Sequence, residues 1–324
     1  MRAVRFQRPE RIPYLFWRWG PNDLGKLMLN SPKRTVGPDT EIDEFGSVWK
    51  KPAGRTIGYV TRYPLADWRA LENYIWPDPD DPARFAHLRE EAGEIRAEGK
   101  AVFCDYSGML WERLWHLRGF DNALIDLLDR PEFVLEVVDK LTDFMTRLAR
   151  NAQEATGGLI DVWCSTDDWG LQSGPFIAPE IFRKIFYPCY ERIFRACHSV
   201  GMHTYLHSDG RINALLPSLV EAGLDVLEIE DIRVLNPAEL GIYRGKLAFC
   251  CTLDAQSTMP NGDRQAIKAE AAEVVENMAA PDGGLIASIY WDPESCGVSE
   301  EMQRYGVQAY MTACEIFRRL HEDE

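Results

Sequence analysis

The sequence has no apolar run long enough to cross a membrane, because a spanning helix needs about 20 consecutive apolar residues. Its opening residues, MRAVRFQRPERIP, also lack the apolar segment of a secretory signal. Positive charge is scarce: 36 lysines and arginines against 51 aspartates and glutamates give a net charge of −15. This balance argues against a nucleic-acid backbone as partner. Together these absences predict a cytoplasmic protein that binds neither membrane nor nucleic acid.

Several recognisable motifs are missing as well. No glycine-rich phosphate loop of the dinucleotide-binding or P-loop type follows the first predicted strand, and no repeat of solenoid period occurs. Metal-ligand pairs at CxxC or HExxH spacing are also absent. The cysteines are spread along a large acidic chain, without the pattern of a small disulfide scaffold. We therefore expect eight reduced thiols, some of them candidate metal ligands: Cys104, Cys164, Cys189, Cys197, Cys250, Cys251, Cys296 and Cys314.

The sequence does contain an alternation of short apolar strands with amphipathic helices. Seven strands are predicted, and an eighth is expected in a short or irregular segment: Arg11–Trp17, Ala101–Asp105, Leu159–Ser165, Met202–His207, Leu224–Glu230, Lys246–Leu253 and Gly284–Tyr290. Helical periodicity covers the segments between them: Pro82–Glu98, 107–157 with breaks near Gly119 and Arg130, Pro179–Val200, Arg264–Met278 and Ser299–His321.

This alternation predicts a parallel β/α fold, and we favour a (β/α)₈ TIM barrel formed by a single domain over residues 1–324. Residues 21–75 are predicted to be an irregular excursion containing a β-hairpin that turns at Pro52-Ala53-Gly54. An open, doubly wound sheet is the alternative, and the missing phosphate loop counts against it.

Side chains of a barrel strand alternate between the lumen and the surrounding helices. In the strand Met202–His207 the apolar side chains share one face, so the polar set should face inward. The same reasoning turns Cys250 toward the lumen and Cys251 away from it. The strands Met202–His207 and Leu224–Glu230 are placed fourth and fifth in the barrel. We therefore expect these side chains to converge on one rim: Asp167, Asp168, His207, Asp209, Glu228, Glu230 and Cys250.

Several of these residues belong to types that Zn²⁺ takes as ligands, namely imidazole, carboxylate and thiolate. Cys296, just after the last strand, is a further candidate beside Cys250 and Glu230. Plainer interpretations stay open: a small buried hydrophobe for Cys250, a loop thiol for Cys296 and a structural histidine for His207. Two carboxylates at one strand end, Glu228 and Glu230, are costly to bury unless they bind a ligand, form an ion pair or accept protons.

Aromatic residues near the predicted strand ends are candidates for a pocket wall. Trp17, Trp19 and Tyr106 suit an apolar or planar substrate, although core packing explains such residues equally well. Arg18 stands between the two tryptophans and is a candidate for holding a substrate carboxylate.

Seven short segments occur together along the chain: DEFGSVW (Asp43–Trp49), WPDPDDPARF (Trp76–Phe85), DDWGLQSGPFIAPEIF (Asp167–Phe182), HSVGMHTYLHSDG (His198–Gly210), LVEAGLDVLE (Leu219–Glu228), CTLDAQ (Cys251–Gln256) and GGLIAS (Gly283–Ser288). Their combination resembles the uroporphyrinogen decarboxylase superfamily over nearly the whole chain. The resemblance implies a (β/α)₈ barrel whose site lies at the C-terminal ends of the strands.

One branch of that superfamily is the metal-free decarboxylase of haem synthesis. It carries two arginines in a first-strand segment, where this chain has only Arg18, and a histidine after the last strand, where this chain has Cys296 nearby. These departures disfavour tetrapyrrole decarboxylation.

The other branch comprises zinc methyltransferases that exchange a methyl group with a corrinoid protein. Members that act on thiols are identified by a His-x-Cys pattern. The similar segment of this chain keeps the histidine, His207, and has Asp209 where the pattern has the cysteine. Members that demethylate aryl methyl ethers are identified by an acid, then a cysteine, then a second cysteine late in the chain. By resemblance, Glu230, Cys250 and Cys296 fill these places in order. The resemblance is therefore closer to this branch.

The function implied is a zinc-dependent methyltransferase that moves a methyl group from a small donor, such as an aryl methyl ether, to a corrinoid protein. Zn²⁺ would be held by Glu230, Cys250 and Cys296, with His207 as fourth ligand or as hydrogen-bond partner of the substrate. Cobalamin would be carried by the partner protein. Alternatives are a metal-free decarboxylase of a small or tetrapyrrole acid and a silent ligand-binding barrel.

The remaining rim residues receive supporting roles under this hypothesis. Acids that orient the substrate or transfer a proton are Asp167, Asp168 and Asp209. Residues predicted to contact the substrate are Trp17, Arg18, Trp19, Tyr106 and Glu228. The oligomeric state is left open, a homodimer included.

Overall fold

The computed structural model describes residues 1–51 and 58–321 of the chain. Its strands are β1 (Tyr14–Leu15), β2 (Leu24–Met28), β3 (Arg34–Gly37), β4 (Thr40–Ile42), β5 (Val48–Lys50), β6 (Tyr59–Arg62), β7 (Ala101–Asp105), β8 (Val162–Thr166), β9 (His203–His207), β10 (Val226–Ile229), β11 (Ala248–Cys251) and β12 (Leu285–Ser288).

Its helices are α1 (Leu88–Ala97), α2 (Trp111–Arg118), α3 (Phe120–Asp129), α4 (Pro131–Thr156), α5 (Pro179–Ile185), α6 (Tyr187–Ser199), α7 (Leu216–Ala222), α8 (Ile232–Leu235), α9 (Pro237–Leu240), α10 (Thr258–Asn261), α11 (Arg264–Met278) and α12 (Glu300–Leu320). None of these described helices is long and apolar enough to span a bilayer.

Eight parallel strands wind into a nearly closed barrel. Within the described residues their order is β1-β12-β11-β10-β9-β8-β7-β2. The end strands β1 and β2 are joined by the Asp23 amide, which donates to the Tyr14 carbonyl at 2.8 Å. The (β/α)₈ TIM-barrel fold predicted from the sequence is confirmed.

The alternation of side chains along the strands creates two hydrophobic cores. A small core fills the lumen and includes Val162, Tyr205 and Cys250. A much larger core joins the outer strand faces to the helices and includes Phe249 and Cys251. Neighbouring residues of β11 therefore lie on opposite sides of the barrel wall, as a period of two requires.

Local sequence signals explain where the long helices begin and end. Helix α4 begins at Pro131, whose fixed φ suits a first helical residue, and ends at Gly157 with φ 71°. The hydroxyl of Ser299 caps α12 by accepting from the Met302 amide at 3.3 Å. The helices that cover the barrel thus have boundaries set by local chemistry.

The eighth barrel strand, β2, lies inside the segment that was predicted to be irregular. It pairs with β7 along its whole length, from Leu24 opposite Ala101 to Met28 opposite Asp105. The polar Lys26 interrupts the apolar run by which a buried strand is recognised, so the pattern concealed it. The prediction of an irregular 21–75 was wrong here, and β9 and β10 are the fifth and sixth barrel strands rather than the fourth and fifth.

The rest of that segment is also more ordered than predicted. Strands β3 to β6 form a four-stranded antiparallel sheet beside the barrel. Strands β5 and β6 pair antiparallel on either side of the predicted hairpin. The predicted turn at Pro52-Ala53-Gly54 lies outside the described residues.

Two other predictions differ from the structure. The first strand is only Tyr14–Leu15, because Trp17–Trp19 forms a 3-10 turn. The helix predicted over Pro179–Val200 is two helices, α5 and α6, that meet at Phe186. The proline at position 188, in the first turn of α6, suits a new helix start.

Candidate functional site

His207 is the last residue of β9 and lies at the centre of a group of carboxylates. Its Nδ1 is 3.3 Å from Oε2 of Glu228, the residue opposite it on β10. Its Nε2 is 3.5 Å from Oδ1 of Asp168 and 3.7 Å from Oδ1 of Asp209. We call Asp168, His207, Asp209, Glu228 and Glu230 the His207 cluster. It sits at the C-terminal ends of three neighbouring strands, the usual place for a site in such a barrel.

The loops after β8 and β9, which carry the two aspartates, are held against each other by backbone contacts. The Asp209 amide donates to Oδ1 of Asp168 at 2.9 Å, and the Gly170 amide donates to the Asp209 carbonyl at 3.1 Å. Gly210 has φ 79°, and a Cβ there would lie 2.3 Å from the Gly170 carbonyl carbon. Any side chain at Gly210 would therefore separate the loops.

The His207 cluster holds an excess of negative charge. Burial raises the pKa of Glu230 to about 8, Glu228 and Asp209 add to the rise, and His207 opposes it. Burial also raises the pKa of Asp209 to about 6. Burial alone would lower the pKa of His207, but its hydrogen bond to Glu228 and the nearby acids raise it well above its ordinary value. One imidazole ring thus faces four carboxyl groups.

Two overlapping sets of ligand atoms in this cluster are close enough to hold one metal ion. Asp168, His207 and Asp209 form one set, and His207, Glu228 and Glu230 form the other. Within each set one donor atom per residue lies within 4.8 Å of the others. His207 is common to both, through different ring nitrogens.

The two predicted thiol ligands belong to neither set within the described residues. Cys250 is fully buried in the lumen, opposite Glu228 in the strand register, and burial raises the pKa of its thiol. Cys296 ends a 3-10 turn, and its Sγ lies 3.7 Å from Oγ of Ser295. The structure therefore brings His207 and Glu230 together with Glu228. That Cys250 and Cys296 bind a metal ion remains a prediction.

Asp167 lies beside the cluster in sequence but has different contacts. Its carboxylate accepts from the amides of Leu110, Trp111 and Glu112, at 2.7 to 3.0 Å, and from the Tyr190 hydroxyl. The side chain is fully buried, and burial raises its pKa to about 6. These contacts hold the first turn of α2, so they suit a helix cap better than substrate contact.

The predicted substrate-binding residues lie in different environments. Trp17 packs against the lumen core, whereas Arg18 is exposed and pairs with Glu294. The ring of Trp19 lies 4.7 Å from the Arg18 guanidinium carbon. Tyr106 belongs to the outer core, where its hydroxyl donates to Glu44 at 2.7 Å. Of these four, Trp17 reaches the lumen.

Glu112 is a residue of this region that the sequence analysis missed. It lies in the first turn of α2 and accepts a hydrogen bond from the Thr166 hydroxyl. Burial, together with Asp168 and Asp167, raises its pKa to about 8. An acid in a first helical turn is common, so the residue type alone did not single out Glu112. The position of α2, directly after a barrel strand, was the available signal, since such helices begin near the rim.

Comparisons with known proteins agree with this architecture. A family model described as uroporphyrinogen decarboxylase matches residues 40–316. Among solved structures, a methyltransferase from Methanosarcina mazei matches with a TM-score of 0.63 and 19% identity, over 84% of this chain and 76% of that one. An L-ribulose 3-epimerase matches with a TM-score of 0.45 and 11% identity, over 79% and 91% of the two chains. No curated protein sequence matches. The similarity to the methyltransferase structure shows a shared barrel fold.

Proposed function

The chain belongs to the uroporphyrinogen decarboxylase family, and on that premise we propose that it is a zinc-dependent methyltransferase. It would move a methyl group from a small methylated donor, such as an aryl methyl ether, to a corrinoid protein. The observation that carries the proposal is the excess of carboxylates around His207 at the barrel rim. The fold shared with a methyltransferase from Methanosarcina mazei is a further reason to prefer methyl transfer to decarboxylation.

The donor set fits a divalent cation. Carboxylate and imidazole are both ligands of Zn²⁺, and three protein ligands leave one position for a substrate. A pKa of about 8 for Glu230 means that the carboxyl group is costly to ionise without a cation nearby. A bound Zn²⁺ would remove that cost and would supply Lewis acidity to the heteroatom that loses the methyl group.

We infer that His207, Glu228 and Glu230 hold the metal. His207 and Glu230 are two of the ligands predicted from the sequence, and Glu228 takes the place of the thiols because its carboxylate contacts His207 directly. The alternative sets, with Asp168 and Asp209 or with Cys250 and Cys296, are separable by mutation.

The chain's own residues would then serve the reaction in three ways. Trp17 contributes an apolar wall to the lumen, which limits water near the reacting centre. Asp209, whose pKa burial raises to about 6, is able to give a proton to the heteroatom after the methyl group leaves. Asp168 fixes the loop of Asp209 by accepting its amide hydrogen. The corrinoid of the partner protein would accept the methyl group at the barrel mouth.

The first experiment measures metal content in the purified protein and in single variants. We expect about one zinc per chain, lost in His207→Ala and Glu230→Ala and retained in the matched surface variant Glu239→Ala. Retention in Cys250→Ala and Cys296→Ala would support the carboxylate set, whereas loss in both would restore the thiol set. Protein without zinc after expression in zinc-supplemented medium would contradict the proposal.

The second experiment tests the reaction. Zinc-loaded protein is incubated with a reduced corrinoid protein and candidate methyl donors, and methylation is followed by the corrinoid absorbance. Release of CO₂ from a carboxylic acid without any corrinoid would instead establish the decarboxylase. Ligand binding without either reaction would identify a silent barrel.

A further inference from the structure

A second polar pair lies in the barrel lumen, on β2 and β7, the two strands that follow β8 in the barrel order. Lys26 is on β2 and shares the inward face with Leu24 of the lumen core. Its Nζ is 2.6 Å from Oδ2 of Asp105, at the end of β7. Of the inward-facing positions on the eight barrel strands, all of them described, only Lys26 carries a permanent positive charge. Lys26 is thus the one permanent positive charge on the inward strand positions of a lumen whose other charged groups are mostly acids.

The geometry of this pair leaves binding capacity on both partners. An ammonium group has three N–H donors, and Lys26 shares one contact with Asp105 while 40% of its side chain is exposed. Asp105 is only 5% exposed, and its Oδ1 is buried without a hydrogen-bond partner among the described residues. A buried acceptor in this state is costly, which is a sign of a site rather than of a purely structural ion pair.

Trp17 completes this part of the lumen. The Nζ of Lys26 lies 6.0 Å from the centroid of the Trp17 ring. Trp17 has φ 50°, a left-handed conformation that is rare for a bulky residue, and Asn22 Nδ2 donates to its carbonyl at 2.7 Å. Strain of this kind is retained where the surrounding structure must hold a side chain in one place. This conformation of Trp17 keeps its apolar ring beside the ammonium group of Lys26.

We propose that Lys26 is a specificity-determining residue that binds a carboxylate of the methyl donor, with Trp17 covering the adjacent apolar part. This inference rests on the proposed function, and it restricts the donors to small organic anions. The acids of the His207 cluster repel such a molecule from their own side of the lumen. The carboxylate therefore points to Lys26, and the end that bears the methyl group points to the cluster. Oδ1 of Asp105 accepts a hydrogen bond from water that accompanies the methyl donor, or from a hydroxyl group where the methyl donor carries one.

The direct test uses binding, so it needs no methyl transfer. Benzoate and its neutral isostere benzamide are titrated by calorimetry into metal-free protein, so that the benzoate carboxylate cannot bind zinc. We expect wild-type protein to prefer benzoate by about tenfold or more, as a charge-assisted contact of about 1.4 kcal/mol requires. Lys26→Met should remove the preference, and Lys26→Arg should retain most of it.

A matched control is Lys268→Met. Lys268 also lies 6.0 Å from an aromatic ring, that of Tyr305, but on helix α11 outside the barrel. This variant should keep the wild-type preference. If Lys26→Met does not fold, a folded Lys26→Gln variant, verified by thermal unfolding, takes its place.

The outcomes separate this inference from the function on which it rests. Equal binding of benzoate and benzamide by wild-type protein, or an unchanged preference in Lys26→Met, would overturn the inference. A clear carboxylate preference in a protein that binds no zinc and methylates no corrinoid would overturn the proposed function alone. With an active donor, Lys26→Met should raise KM at least about tenfold and change kcat much less.

Discussion

Two buried charged regions of this barrel are built on opposite principles. At the connection between β4 and β5, Glu44 pairs with Arg84, and Asp43 pairs with Arg113 at 3.1 Å. We call these four residues the Arg84–Glu44 network. In it each carboxylate has its own guanidinium, whereas in the His207 cluster four carboxyl groups share one imidazole.

The difference separates a structural use of charge from a functional one. In the balanced network the remaining oxygens are also satisfied: Glu44 accepts from the hydroxyls of Tyr106 and Ser31, each at 2.7 Å. In the unbalanced cluster, burial raises the pKa of Glu230 to about 8, and His207 offsets the rise only in part. A balanced network stabilises the fold by itself, and an unbalanced one is complete only with a bound cation.

The largest expected effect comes from unbalancing the structural network. Arg84→Met leaves the Glu44 carboxylate buried without its partner, since both side chains are only 4% exposed. We expect a loss of about 3 to 5 kcal/mol in the free energy of unfolding, measured by urea denaturation. The double variant Arg84→Met/Glu44→Gln should recover part of the loss. A loss below about 1 kcal/mol would show that the pair does not act as a buried ion pair.

The next effect comes from balancing the functional cluster. Zinc at 100 times its Kd should stabilise chelator-treated protein by about 2.7 kcal/mol, measured as a shift in thermal unfolding. His207→Ala should abolish the shift, because His207 belongs to both sets of ligand atoms. Glu239→Gln, a surface change, serves as the control. An equal shift in His207→Ala would place the bound zinc elsewhere.

A smaller effect is expected in the pH dependence of the metal-free protein. The pKa of Glu112 is raised to about 8, so the folded state keeps a proton that the unfolded chain releases near its ordinary value. Stability should therefore fall as pH rises from about 4.5 to about 8. Glu112→Gln should reduce the fall between pH 6 and 8 by about 1 kcal/mol in urea titrations. An identical pH profile in variant and wild type would contradict the assignment.

The smallest effect is expected at an exposed ion pair, which calibrates the comparison. Arg183 makes two contacts with Glu221, at 2.7 and 2.8 Å, and both side chains are about half exposed. Solvent screens such a pair, so Arg183→Gln should leave Tm unchanged within error. A clear drop in Tm would mean that the loss of stability predicted for Arg84→Met comes from charge pairing itself rather than from the burial of the pair.

Much of the fold was predictable because its signals are local. The strand Ala101–Asp105 and the helix Arg264–Met278 have the predicted boundaries, since apolar periodicity defines both. The inward position of Cys250 followed from alternation alone. Strand β2 was missed because Lys26 breaks its apolar pattern. That same lysine is tolerated in the lumen through its contact with Asp105, a residue far along the chain.

The candidate site was predictable only in part. His207, Glu228 and Glu230 were recognised because ionisable residues at strand ends meet on one rim. Tyr106 was assigned to the same rim, but its hydroxyl donates to Glu44 in the outer core. Asp167 and Asp168 are adjacent in sequence, yet one caps helix α2 and the other lies 3.5 Å from His207. Sequence proximity did not distinguish their roles.

The sequence by itself determined the barrel, its family and the face on which the acids gather, because periodicity and strand order depend on neighbouring residues. Only the tertiary structure decided which acids share one imidazole and which have their own arginine. Coulomb interactions and desolvation depend on distances between atoms, and Asp168 helps to raise the pKa of Glu112 although 56 positions separate the two residues. Glu44 has a guanidinium partner in Arg84, whereas the cost of burying the Glu230 carboxylate is offset only in part by His207.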